Sequence, residues 1–112
     1  MKVTVEERCG VNVVHLGGTM IGGEESNWVA EVTKLVDQTN AKVVLDLAGV
    51  TYVSSAGLGD LVRVTALANT RQAKLSLAGL VPFVDGVLKA TRLDRFFDIS
   101  PDVDVAINRL SQ

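Results

Sequence analysis

Cysteine and histidine are almost missing from this chain: one of each, Cys9 and His15, in 112 residues. A lone cysteine cannot close an internal disulfide, and without a Cys/His cluster there is no zinc site to read, so neither metal nor cofactor is expected. An excess of basic charge is missing too. Eleven Lys and Arg against thirteen Asp and Glu leave a net charge of -2. Direct binding of nucleic acid, which needs a basic face, is therefore not expected. No apolar run approaches the roughly 18 residues that would suggest a membrane span, which argues against membrane insertion. The opening MKVTVEERCG alternates and meets charge at once, unlike a signal peptide. Repeats, linkers and low-complexity stretches are absent. What is there, 47% hydrophobic and 21% charged residues, is globular and sufficient for one domain, residues 1–112, to bury a core without disulfides. A cytoplasmic protein, bacterial or similar, fits these absences; the oligomeric state is left open.

The most informative stretch runs from Lys42 to Val62. Val43-Val44-Leu45-Asp46-Leu47 reads as a strand buried on both faces, hence interior to a sheet. Ala48-Gly49 should break it, Val50 to Val53 turns apolar again, and Ser54-Ser55-Ala56-Gly57 opens a helical pattern. In that helix Leu58, Leu61, Val62, Thr65 and Ala68 share one face at spacings of three and four. Asp60, Arg63 and Val64 are read as outward.

Elsewhere, Val3 and Val5 alternate with polar neighbours as an edge strand does. Val11 to Leu16 is its hairpin partner, ended by Gly17-Gly18. A helix is expected from about Glu24 to Thr39, with Trp28 or Val29, Val32, Leu35 and Val36 inward and Glu24 and Glu25 at its positive end. Trp28, the only tryptophan, is read as the anchor of that helix. Lys74 to Gly79 is a further strand. Pro82 starts a helix with Phe83, Val84, Val87 and Leu88 on one face. Phe96 to Ile99 is a short strand or extended link, and Ser100-Pro101-Asp102 starts a last helix with serine as N-cap. Its inward face is Val103, Ala106, Ile107 and Leu110. The order β-β-α-β-α-β-α-(β)-α predicts an α/β fold, a mixed, mostly parallel sheet of four to five strands with about four helices.

Catalytic motifs are incomplete. Gly57-Leu58-Gly59 begins a dinucleotide fingerprint, but Val62 occupies the third glycine's place. There is no phosphate-cradling loop ending in Gly-Lys-Ser/Thr. The Ser54-Ser55 pair lacks the Gly-x-Ser-x-Gly elbow, and only His15 is available as a base. His15, alone in a strand, is read as structural or exposed. A phospho-accepting Asp46 would need an acidic pair near the first strand's end, for which Glu6-Glu7 is a poor substitute. Helix capping accounts for the serines better. Ser54 as N-cap accepts a bond from an early helical N–H, worth ~1 kcal/mol, and leaves Ser55 pointing outward. Gly57 and Gly59 each cost a helix ~1 kcal/mol against alanine, so something, either a neighbouring segment or a partner, approaches closely there.

The run Asp46-Leu47-Ala48-Gly49-Val50-Thr51-Tyr52-Val53-Ser54-Ser55-Ala56-Gly57-Leu58-Gly59 resembles the signature of STAS domains, the fold of bacterial anti-sigma factor antagonists and of sulphate-transporter tails. The family pattern ends a strand in Asp-Leu, turns, and continues Asp-Ser-Ser-Gly-Leu-Gly. On that register Ser55 matches the phosphorylated serine, Ala56 the second serine, and Ser54 stands where aspartate is usual. The resemblance implies a binding module, not an enzyme, with a STAS-like fold. Its partners would be an anti-sigma factor that is also a serine kinase, which it holds so that the sigma factor is released, and a serine phosphatase. Phosphorylation of Ser55 would switch it off. The partner surface would comprise Ser54, Ser55, Ala56, Gly57, Leu58, Gly59, Asp60 and Arg63. A constitutive STAS subunit of a stress-signalling complex or lipid-transport ATPase is the alternative, and a small serine hydrolase a weaker third.

Overall fold

The computed structural model describes residues Met1–Gln112. Apolar runs rich in valine and leucine give five strands: β1 (Lys2–Arg8), β2 (Val11–Met20), β3 (Lys42–Val53), β4 (Lys74–Ala78) and the two-residue β5 (Ile99–Ser100). Four α-helices lie between or after them: α1 (Asn27–Val36), α2 (Ser55–Thr70), α3 (Pro82–Ala90) and α4 (Val103–Leu110). The sheet order is β1-β2-β3-β4-β5. The hairpin β1–β2 is antiparallel and every other pair is parallel, because each later strand is reached through a helical crossover. The mixed, mostly parallel sheet predicted from sequence is thus present, with β3 at its centre.

The sheet's two faces are read from strand alternation. Val14, Leu16, Val43, Leu45, Leu47 and Leu77 join Trp28, Val32 and Val36 of α1, Leu61, Val64 and Ala68 of α2, and Val84 and Leu88 of α3 in one core. Val11, Val13, Val44 and Ala78 turn the other way and meet Ala106, Ile107 and Leu110 of α4. Trp28 is fully buried and anchors α1 as expected, although its Nε1–H has no acceptor.

Several boundaries differ from the sequence reading, each for a physical reason. Ala48-Gly49 does not break β3, nor does Gly17-Gly18 end β2; both strands run through. A Cβ at Gly49 would lie 2.9 Å from the Leu16 carbonyl oxygen, so the glycine lets two strands approach, and the register shifts there absorb the irregularity. Glu24 and Glu25 fall in a separate 3₁₀ turn, Gly23–Ser26, and α1 starts only at Asn27 and ends before Thr39. Val5 is exposed, so β1 has only Val3 against the core. Phe83 is exposed on α3 instead of joining Val84 and Leu88. Ser100 belongs to β5, where its hydroxyl accepts from Arg109 at 2.8 Å. Asp102 caps α4 instead, its carboxylate accepting from Val105 N–H at 2.9 Å.

Candidate functional site

β3 delivers the chain to the carboxyl edge of the sheet, and α2 starts there. Ser54 has extended backbone, and its Oγ accepts from the Gly57 N–H at 3.2 Å, the N-cap arrangement expected of it. Its own N–H donates to the Met20 carbonyl at 3.0 Å, which ties the end of β2 to the start of α2. Ser55 is therefore the first helical residue, exposed, with no side-chain hydrogen bond, beside early N–H groups that favour an anion.

The eight residues expected to face a partner divide into three groups. Ser55, Ala56 and Arg63 are exposed, while Ser54, Leu58 and Gly59 are half-buried. Gly57 and Asp60 are buried, which corrects their placement on the surface. A Cβ on Gly57 would collide with the Met20 carbonyl, so the close approach there is made by the chain itself, at the end of β2. Gly59 has room for a Cβ, with the Arg63 guanidinium the nearest group at 3.7 Å. Val64, read as outward, is also buried. The inward stripe is rotated toward Gly57, Asp60, Leu61, Val64, Thr65 and Ala68, which leaves Leu58 and Val62 half-covered at its margin.

Asp60 is only 4% exposed, yet both its oxygens have donors. Ser26, from the 3₁₀ turn, donates its hydroxyl to one, and Arg63, one helical turn on, pairs with the other. The Arg63 pairing follows an i, i+3 spacing along the helix, whereas nothing in the sequence links Asp60 to Ser26.

Two further features were not read from sequence. Tyr52, at the end of β3, stacks on Phe83 of α3 with ring centroids 5.4 Å apart and planes 19° from parallel. Both rings are about half exposed, so this aromatic pair stands two residues from the serine corner. The second is His15, whose Nδ1 lies 2.6 Å from Asp46 and Nε2 3.0 Å from Glu6. The two carboxylates, with the Glu6 hydrogen bond the largest influence and the Asp46 hydrogen bond next, raise its pKa above the ordinary 6.5 against the opposing effect of burial. His15 pairs in register with Asp46 on β3. Val53 lies seven residue steps beyond Asp46 along β3, roughly 20 Å or more at ~3.3 Å per residue, so the only histidine is not placed to activate Ser55. No cluster of His, Cys, Asp and Glu able to hold a metal occurs, and no helix is long and apolar enough to cross a membrane.

Comparison with known proteins gives a consistent picture. The family model described as "STAS domain" matches residues 2–106. The chain is 29% identical over 106 residues, 95% of its length and 91% of the relative's, to a Bordetella bronchiseptica protein named "Putative anti-sigma factor antagonist BtrV". The fold is similar to that of a STAS-domain anti-sigma-factor antagonist from Planctomyces limnophilus, with TM-score 0.84 and 19% identity over 98% of both chains. It is also similar to an anti-sigma factor antagonist from Mycobacterium paratuberculosis, with TM-score 0.79 and 22% identity over 99% of this chain and 94% of the other.

Proposed function

The chain belongs to the STAS-domain family, and from that premise we propose that it is an anti-sigma factor antagonist switched off by phosphorylation of Ser55. In this reading it is a binding module and not an enzyme. It holds an anti-sigma factor that is also a serine kinase, releases the sigma factor, and is reset by a serine phosphatase. One observation carries the proposal: Ser55 occupies the exposed first position of α2 while Ser54 alone provides the cap. The reactive hydroxyl and the structural one are thereby separated.

The chemistry of the switch follows from that position. A phosphate on Ser55 adds roughly -1.5 to -2 charge near neutral pH. In the free chain the helix N-terminus tolerates it, and neutral Ser54, where the family usually has aspartate, adds no like-charge repulsion. The penalty falls on the complex. There a dianion is desolvated and sterically excluded from a surface shaped for a hydroxyl.

The test uses the serine kinase recovered with the tagged chain from its own host, applied with ATP to wild type, Ser54→Ala and Ser55→Ala, with mass spectrometry to place the phosphate. Wild type and Ser54→Ala should carry it on Ser55, and Ser55→Ala should be unlabelled. Calorimetric titration should then show the phosphorylated chain binding its partner at least about tenfold more weakly, ~1.4 kcal/mol. Phosphate on Ser54 would sink the residue assignment. Equal affinities of the two forms would favour the second reading, a constitutive subunit of a larger assembly.

A further inference from the structure

The end of β2 and the segment joining it to α1, Ile21–Ser26, are held against the start of α2 at three points. Ser54 N–H donates to Met20 O at 3.0 Å. Gly22, at φ +82°, lies so close to α2 that a Cβ there would sit 2.8 Å from the Ala56 Cβ. Finally, the Ser26 hydroxyl donates to the buried carboxylate of Asp60. The first is a backbone hydrogen bond and the second a close approach of the Gly22 backbone to the Ala56 methyl group. The third is a side-chain bond between elements 34 residues apart in sequence, made by the most buried charged group of α2. A carboxylate so enclosed is tolerated only with its oxygens satisfied, so Ser26 and Arg63 are held to it as firmly as it is to them.

We propose that Asp60 is a positioning residue for the Ser55 switch. Its bond to Ser26 latches Ile21–Ser26 beside Ser55, so that a partner meets the serine and this segment as one preformed surface. Ile21, nearly half exposed, is the apolar side chain the latch presents. Arg63, exposed on its outer side, orients the carboxylate toward Ser26. The proposal rests on the reading of Ser55 as the phosphorylated residue. It also gives a role to an acid that is only 4% exposed at position 60.

Amide hydrogen exchange and Ser55 phosphorylation kinetics together test it, on wild type, Asp60→Ala, Asp60→Asn and Ser26→Ala. Exchange needs no partner. Asp60→Ala and Ser26→Ala should each speed exchange across residues 21–26 by about tenfold or more, leaving β3 and β4 unchanged, and combining them should add little. Asp60→Asn keeps an oxygen acceptor for Ser26 and should stay within about twofold of wild type. With the recovered kinase, Asp60→Ala and Ser26→Ala should raise the KM for the chain about fivefold or more with kcat little changed, and Asp60→Asn should restore it. Unchanged exchange in both alanine variants overturns the latch. Loosened exchange with an unchanged KM overturns its positioning role. Should wild type not be phosphorylated at Ser55, the switch reading fails and the positioning role with it; the exchange arm still reports separately whether the latch exists.

Discussion

The two faces of the sheet are covered unequally, and the difference organises the molecule. On one face three helices, α1, α2 and α3, close a core of eighteen buried residues, among them Trp28 and six leucines. On the other, α4 alone closes a cluster of seven, mostly valine and alanine, three of them its own. The thick face has room for long side chains and fully buries Val14, Val43, Leu45 and Leu47 of its central strands. On the thin face α4 packs on Val11 and Val13 of β2, Val44 of β3 and Ala78 of β4. Beyond α4 the same face is polar, with Lys2, Thr4 and Glu6 on β1, His15 on β2 and Asp46 on β3. The serine corner grows from the thick face, on the helix with the most buried residues. A rigid base under an exposed hydroxyl suits a site that must be recognised in one geometry.

The largest expected contrast is in core truncation. Leu45→Ala empties a fully buried site in the thick layer and should cost about 4 kcal/mol, whereas Leu110→Ala, under α4, should cost about 2 kcal/mol because a lone short helix can settle onto the gap. Urea unfolding followed by Trp28 fluorescence reads both. Equal losses would mean that the thin layer is packed as tightly as the thick one.

Capping gives a smaller contrast. Ser54→Ala and Asp102→Ala each remove one side-chain cap bond, and each should lose ~1 kcal/mol of global stability. Their local effects should diverge. α2 spans 16 residues packed along its length, so it should keep its exchange protection, while α4, with 8, should fray at Val103–Ala106. Fraying of α2 and not α4 would reverse the ranking of the two layers.

How much of this was legible in the sequence differs between the layers. Apolar periodicity located all four helices and the central position of β3, because burial on both faces leaves a continuous run such as Val43 to Leu45. It placed the cap at Ser54 and Ser55 outside it, since capping is a local rule. It misplaced Asp60, because a charged residue reads as exposed until its donor is known, and Ser26 lies 34 residues away. Gly17 and Gly49 read as strand ends for a similar reason. Each looks like a break in one dimension and is a close strand crossing in three. Ser100 lost the cap of α4 to Asp102 because its hydroxyl was claimed by Arg109 from the far end of that helix. His15 looked solitary because Glu6 and Asp46 reach it only through strand pairing.

That cluster supplies the last and smallest effect, at the open part of the thin face. His15 on β2 is bracketed by Glu6 from β1 and Asp46 from β3, with Arg8 3.8 Å from Glu6, and Arg8, Asp102 and Asp104 line the cavity of about 350 Å³ that His15 and Asp46 share. As an imidazolium it donates to both carboxylates and ties three strands together. Its pKa is raised in the folded chain above the unfolded 6.5, so the folded form binds the proton more tightly. The contribution is then fully present below pH 6.5 and is lost as pH rises through the folded pKa. His15 is partly solvated, so screening keeps the energy small and the sign is the informative part. Urea midpoints for wild type and His15→Gln should therefore lie furthest apart near pH 6 and converge toward pH 8, with the wild type the more stable at the acid end. A titration of the His15 ring by NMR should give a midpoint above 6.5 that falls in Glu6→Gln and in Asp46→Asn. A midpoint at or below 6.5, or a gap between the variants that widens with pH, would show that the carboxylates do not grip the ring, and would leave α4 as the only thing holding the thin face.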